Sequence, residues 1–415
     1  FNHNDTTSAW TDGPAAGPLF YSEHFRAPGT NGPDDLGELM DLAFTGAVAK
    51  NRSTNHSIGG NLACDGPGGL RLVVDAHHPT AESKPTSPYG SNIAVGTAIY
   101  GVESQTIDFT HDMPVISVDM YPGSEIDPSN IRPAGNAFRN AYMKDTINEL
   151  AVRGGYDFDA SFIESIDFGV TLTSNKLRSA YGFLQNDTWG GTLSAEDTPD
   201  DLFDMVGLPS DLPGKSGSSN SAIIPNYFQL DTVGLINLLE NELGICSNPA
   251  SGEPLDGCLA QFSVDRRIKE RTFAPYIQTL HTFDLFNNPA HLRLGLRYEK
   301  TKVDSSALVP VPVQTFWSGG NEIAVITDPS QQTFTSLKGD YKNWLPAIDF
   351  DVSPMRNIRL RASYSHSITR AAYDQLQGGL TINSPARPDG GGTGGSGNPG
   401  LLPYKSKNID LSAEW

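Results

Sequence analysis

The sequence predicts an all-β fold: an antiparallel transmembrane β-barrel of the outer-membrane kind, here a partial barrel wall of about 11–12 strands with long extracellular loops. Three stretches alternate apolar and polar residues with period two. Ile166, Phe168, Val170 and Leu172 interleave with Asp167, Gly169, Thr171 and Thr173. Leu292, Leu294, Leu296 and Tyr298 interleave with Arg293, Gly295, Arg297 and Glu299, and Ile358, Leu360, Ala362 and Tyr364 with Arg359, Arg361, Ser363 and Ser365. Successive strand side chains point to opposite faces, so each stretch has one apolar face and one charged or small face. The second observation is the rhythm of the connections. Turns near 159–161, 286–290 and 353–357 are tiny, whereas the connections near 183–262, 304–334 and 373–403 are long. Short periplasmic turns alternating with long outer loops are the habit of outer-membrane barrels.

Composition narrows the classes. Hydrophobic residues make up 38% of the 415-residue chain, and no stretch approaches the roughly twenty apolar residues of a membrane helix. A barrel tolerates such low hydrophobicity because only alternate strand residues face lipid. The formal net charge of −19 argues against nucleic acid as a partner. The chain begins at Phe1 without a basic, apolar leader, so we expect a piece of a longer protein or a processed form.

In chain order, Asp35 is expected to cap a short helix with Leu36, Leu39, Met40 and Ala43 at helical spacing. A hairpin follows, one strand ending near Cys64 and the next running from Leu70 to Ala76. A further turn is expected at His111-Asp112-Met113-Pro114, between Ile107 and Phe109 on one side and Val115 and Ile116 on the other. Residues 146–157 and 162–178 form the next pair. The long connection that follows holds an amphipathic helix from Asp231 to Gly244, with Ile236, Leu239 and Leu243 on one face. Strands are expected at about 263–285, 291–303, 333–352, 357–371 and 404–415, and the Gly-rich run at 390–397 reads as a flexible loop tip. Tyr156, Phe158, Phe162, Phe283 and Phe286 gather at the short-turn end, where an interfacial aromatic girdle belongs. Cys246 and Cys258 bracket a polar, turn-rich segment and are expected to bond in an oxidising exterior; Cys64 has no assigned role.

Chemical motifs are sparse. Gly214-Lys215-Ser216 lacks the first glycine of a phosphate loop, since residue 209 is Pro209. The glycines at 390–397 are not placed between a strand and a helix, so they are no dinucleotide fingerprint. His77 and His78 are strand neighbours that point to opposite faces, so only one can serve any given metal site. The acidic run Glu196, Asp197, Asp200 and Asp201 reads as a solvated loop. No nucleophile elbow or His-Glu-x-x-His site is present, and no enzyme, cofactor or metal is expected.

The segment Gly397-Asn398-Pro399-Gly400-Leu401-Leu402-Pro403-Tyr404-Lys405-Ser406, running on to Glu414-Trp415, resembles the barrel of TonB-dependent receptors. Trp344-Leu345-Pro346-Ala347, Ser367-Ile368-Thr369-Arg370, Gly295-Leu296-Arg297-Tyr298-Glu299-Lys300-Thr301 and Ser165-Ile166-Asp167-Phe168-Gly169-Val170 agree in order with the same family, particularly its proteobacterial carbohydrate-uptake kind. The resemblance implies a barrel closed by 22 strands in the complete protein, filled by an N-terminal plug, in the outer membrane of a Gram-negative bacterium. Residues 1–415 would then be part of the barrel domain, without the plug, the TonB-contacting segment or the last strands. It further implies TonB-energised import of a scarce nutrient, with the TonB complex engaged through the plug and the outer face against lipid and lipopolysaccharide. Carbohydrate is the leading ligand and a ferric siderophore the second. A passive porin or adhesin barrel, closed by about a dozen strands, is the alternative from another class. Trp317, Arg370, Tyr373 and Arg387 are the ligand-binding candidates, because sugars stack on aromatic rings and hydrogen-bond to guanidinium groups.

The alternation also predicts register. Apolar rows must share a face, so paired positions flanking 353–357 sum to an even number. A five-residue turn sets Asp351 opposite Arg359 and Asp349 opposite Arg361; a three-residue turn sets Asp349 opposite Arg359. The same parity sets Arg153 opposite Asp167. Each register would give polar-face ion pairs.

Overall fold

The computed structural model describes residues 3–29, 39–111, 114–159, 162–184, 193–208, 224–245, 258–285, 287–319, 322–383 and 392–415. The chain runs through β1 (His3–Trp10), β2 (Pro18–Phe25), β3 (Asp41–Ala49), β4 (Asn51–Asp65), β5 (Leu70–Pro85), β6 (Asn92–Tyr100), β7 (Val102–Asp108), β8 (Val115–Met120), β9 (Arg132–Asp157) and β10 (Ile163–Leu184). A hairpin, β11 (Phe203–Gly207) and β12 (Asn226–Leu230), then leads into helix α1 (Thr232–Leu243). The remainder is β13 (Val264–Leu285), β14 (Asn288–Leu308), β15 (Pro312–Gly319), β16 (Glu322–Thr327), β17 (Thr335–Met355), β18 (Ile358–Thr369), α2 (Tyr373–Leu376), β19 (Thr381–Asn383), β20 (Thr393–Gly395) and β21 (Tyr404–Glu414). The fold is therefore antiparallel β throughout, with only short helices. It divides into two compact units, one of Phe1–Lys50, Thr86–Asn140 and Phe183–Gln261, the other of Asn51–Pro85, Ala141–Gly182 and Phe262–Trp415.

The first unit holds a four-stranded sheet in the order β1-β2-β7-β8, and a ladder in which β6 pairs with β3 and with the start of β9. β7 and β8 close across the expected turn, Asp108 facing Val115; residues 112 and 113 of that turn lie outside the described set. The helix expected over 36–43 is not formed where the chain is described: Asp41–Ala49 is a strand lying along Asn92–Tyr100. Leu42 and Phe44 alternate with smaller residues, so a waiting β6 edge outweighs a short helical spacing. Helix α1 forms as expected. Asp231 accepts from the Gly234 N–H at 3.0 Å, Gly244 terminates the helix in the left-handed conformation, and Leu235, Ile236 and Leu239 are buried against Ile93, Val95 and Phe138.

The second unit is a continuous sheet in the order β21-β18-β17-β14-β13-β10-β9-β5-β4. Registers align the apolar rows across it. Leu62 faces Val74, Val74 faces Val152, Ile166 faces Thr279, Ile277 faces Leu296, Leu294 faces Ile348, Ile348 faces Tyr364, and Tyr364 faces Ile409. Along β14 this apolar row runs from Ala290 to Tyr298, matching the roughly 9–11 residues a tilted strand needs to cross hydrocarbon. Aromatic side chains bound the band at both ends. Tyr156 and Phe158 meet at 4.8 Å and Phe162 and Phe283 at 5.9 Å near the short turns; Tyr298 and Trp344 meet at 4.8 Å at the far end. Phe286 lies outside the described residues. Among the described residues β21 and β4 each pair on one side only.

β13 and β17 keep close to their expected bounds, whereas β14 extends at both ends over Asn288–Leu308, β9 begins as early as Arg132 and β10 runs on to Leu184. Beyond the apolar band their outward positions become Lys, Arg and Asp, which hides strand from a reading based on apolar alternation. Two of the three short turns are tighter than expected. Leu285 faces Asn288, with Asn287 at φ 61°, and Met355 faces Ile358. An irregularity between Val352 and Met355 restores even parity, so Asp351 lies opposite Arg361 and Asp349 opposite Ser363. Both proposed registers at this hairpin are therefore corrected, although their parity holds. At the β9–β10 turn the Phe158 N–H donates to the Glu164 carbonyl at 2.9 Å. This longer turn brings the Asp167 carboxylate beside Gly155 instead of setting it opposite Arg153.

Candidate functional site: a polar cleft above the sheet

The polar face of the second unit is built from the odd positions of β14 and β17 and the even positions of β13. Near the short turns it carries ion pairs. Asp351 accepts from Arg359 at 2.8 Å and contacts His291 at 3.1 Å, a diagonal pairing across the tight turn. Arg361 reaches Glu414 at 2.7 Å, Asp349 lies across from Arg293, and Asp167 is 3.6 Å from Arg71. Arg153 lies across from Val73 and is in no ion pair with Asp167.

Toward the other end of the strands, the described residues between β18 and β21 fold down on this face. Arg370 is their anchor: the guanidinium sits 3.0 Å from Glu270 and 2.6 Å from Glu299, two carboxylates about 95% buried. Burying a carboxylate without a partner is costly, so a cation between the two fixes where the segment can land. Tyr373 opens α2, its hydroxyl accepting from the Asn175 amide, and burial raises its pKa, reinforced by the charges of Glu270 and Asp145. The phenol therefore stays neutral. Leu376 packs with Leu177, Ile268, Val303 and Tyr341, and the Gly378 N–H donates to Ser305 Oγ at 2.8 Å.

The second half of the segment folds back on the first. Gly397 donates to the Gln377 carbonyl at 3.0 Å and Asn398 to the Gln375 carbonyl at 2.7 Å, while Thr381 pairs with Gly395 between β19 and β20. The Gly-rich run is thus not a loose tip over its described part. Its glycines allow close backbone approach: a Cβ on Gly397 would collide with the Gln377 carbonyl. Gly339 of β17 plays the matching role, because a Cβ there would collide with the Pro399 carbonyl.

Between these strands of loop lies a cleft of about 590 Å³. Gln375, Gln377, Thr381, Ser396 and Asn398 supply amides and hydroxyls, Asp374 and Arg266 one charge of each sign, and Tyr404 and Leu402 apolar surface. Such a wall offers both donors and acceptors at neutral groups. Of the expected ligand residues, Arg370 and Tyr373 are brought together under the cleft, where the segment is anchored. Trp317 stands 62% exposed on the separate β15–β16 hairpin, and Arg387 lies outside the described residues. Sequence reasoning missed the amides of the cleft; Asn398, inside the Gly-Asn-Pro motif, was the one available signal.

Other candidates resolve simply. Cys258 is disulfide-bonded and Cys64 is a free, exposed thiol; Cys246 lies outside the described residues. His77 contacts Asp75 and His78 contacts Asn148, one on each face. Asp197 is held below the usual carboxylate range by the Ser194 hydroxyl and N–H. Among the described residues no group of three or more His, Cys, Asp or Glu is arranged to hold a metal ion.

Sheet and loops together define a wall with one apolar, exposed face and one polar, charged face. Residues 87–415 match the family "TonB dependent receptor-like, beta-barrel", and the chain belongs to that family of outer-membrane receptors. A search of curated proteins gives no match. One solved structure is similar, the siderophore receptor PiuA from Acinetobacter baumannii, at 12% identity and a TM-score of 0.31, over 100% of this chain and 53% of that one. The chain therefore spans about half the length of that receptor, and a likeness this slight carries no argument about ligand.

Proposed function

We propose that this chain forms part of the wall of an outer-membrane importer energised through TonB, and that the cleft above its polar face captures a carbohydrate. The observation that carries the ligand class is the cleft's lining. Gln375, Gln377, Thr381, Ser396 and Asn398 offer neutral donors and acceptors, and Tyr404 a ring at the rim, which suits a polyhydroxylated ligand. An anionic iron chelate would be better served by several cations, and among the described residues of the lining Arg266 is the one cation. The chain supplies wall and capture loops; the plug and the TonB contact belong to the complete receptor, in a Gram-negative outer membrane.

The test is binding and uptake. Cells making the complete receptor should take up labelled oligosaccharides only while TonB is functional, and Asn398→Ala together with Gln375→Ala should weaken binding at least ~10-fold, the effect of losing two to three hydrogen bonds. Uptake of ferric siderophores in place of sugars, with oligosaccharide binding absent, would overturn the ligand class. Equal uptake without TonB would overturn the energised mechanism in favour of a passive pore.

A further inference from the structure

We propose that the sugar captured in the cleft carries a carboxylate, as a uronic acid does, and that Arg266 is the residue that reads it. The proposal rests on the carbohydrate reading above and adds the one feature of the cleft that a neutral sugar leaves unused. Arg266 lies on the polar face of β13, where Ser179 of β10 and Ala307 of β14 stand directly opposite it. The next residue on that face, Ile268, is packed with Leu376. The half-buried guanidinium therefore has only neutral side chains beside it on the sheet.

Among the described residues no carboxylate lies within ion-pair distance of Arg266. The acids around it are already taken. Asp265 points to the other face and is shared by Arg178 and Arg267 at 2.9 and 2.7 Å. Glu270 and Glu299, on the same face as Arg266, are held by Arg370. Withdrawing a cation from water without a counter-ion is costly, and an anionic ligand would offset that cost.

The loop sets this cation where a ligand meets it. The Gly378 N–H is bonded to Ser305 Oγ, and a Cβ on Gly379 would press on Ala307 and Val309, so the loop backbone lies over β14 beside Arg266. The guanidinium thereby lines the sheet side of the cleft, with Gln375, Gln377 and Asn398 supplying the rest of the wall. Asp374 lines the same cleft, exposed and beyond ion-pair reach of Arg266. A carboxylate there accepts sugar hydroxyls and disfavours densely anionic ligands. One cation and one acid held apart suit isolated carboxylates among many hydroxyls. The planar fork of an Arg meets a carboxylate with two parallel N–H donors, which orients the sugar ring as well as holding its charge.

The experiment titrates the full chain in detergent with short oligomers of galacturonate, glucuronate and mannuronate, each beside its carboxyl-reduced counterpart, and with a sulfated neutral oligomer. At least one uronate should bind ~10-fold or more tightly than its reduced form, and raising salt should shrink that gap. Arg266→Gln should cut affinity for the uronate ~10-fold more than affinity for the reduced sugar. Arg266→Lys keeps the charge and loses the fork, so it should retain part of the preference, and it serves where the glutamine variant fails to fold. Equal affinity for acid and reduced forms in the native chain, equal losses for both in the folded variants, or preference for the sulfated oligomer would each overturn the proposal while leaving the carbohydrate reading in place. Binding of none of the sugars would overturn that reading, and the carboxylate with it.

Discussion

Single residues hold the candidate site in place through two contrasting means, an ion pair and the lack of a side chain. Arg370 compensates Glu270 and Glu299. Breaking a buried pair typically costs about 3–5 kcal/mol, and since the Arg370 side chain keeps 39% of its exposure, solvent screening brings the expected loss for Arg370→Gln nearer 2 kcal/mol. Thermal denaturation in detergent would measure it, and adding Glu299→Gln should recover part of the loss. Gly339→Ala makes a different prediction. The methyl group would meet the Pro399 carbonyl, so the loop must lift by a few tenths of an ångström or more. Overpacking of this kind costs about 1–3 kcal/mol, felt in the loop while the long β17 ladder stays paired. Sugar affinity should fall ~5-fold or more with an unchanged melting temperature, and wild-type affinity would show that the loop does not shape the cleft. Neither role was legible beforehand. Arg370 was singled out for its charge, yet its two partners lie 100 and 71 positions away in sequence, and no local pattern links them.

At the scale of elements, alternation revealed the strands and their faces because period two is a local property, visible wherever lipid-like and water-like surroundings lie on opposite sides. It could not set register, which depends on turn length and on one irregularity. The hairpin between β17 and β18 tests this directly. Cysteines replacing Asp351 and Arg361 should cross-link in high yield, whereas the pair replacing Asp349 and Arg361 should not, since residue 361 lies opposite residue 351. Inserting one residue between Arg356 and Asn357 would turn Leu360, Ala362 and Tyr364 to the polar face or force a new bulge, and either outcome should sharply lower the yield of folded protein. Helix α1 was legible for another reason: its apolar spacing, its Asp cap and its terminal Gly agree. Asp231→Ala should cost about 1 kcal/mol, readable as a small drop in melting temperature. The spacing over 36–43 had no such agreement, and a strand won where the chain is described.

On the scale of the whole molecule, the family and the nature of both faces followed from the sequence, while the loop architecture did not, because it is fixed by long-range packing on Leu177, Ile268 and Val303. The membrane reading carries its own prediction. Ile409, Leu411 and Trp415 are 73%, 78% and 99% exposed, and they continue the band of Ile348 and Leu360. In water without detergent this chain should self-associate, seen as large species by light scattering, because an open strand edge and a wide apolar surface both invite pairing. A monodisperse detergent-free monomer would contradict that reading.

The one-sided pairing of β21 has a consequence in time as well as in space. An antiparallel edge strand turns alternate amides toward its neighbour and the rest away from it. β18 has neighbours on both sides where β17 and β21 flank it, so its amides there exchange with deuterium only when the sheet opens. β21 should instead exchange in a zigzag, every second amide fast and the ones between slow, a rhythm set by the edge and absent from the strand beside it.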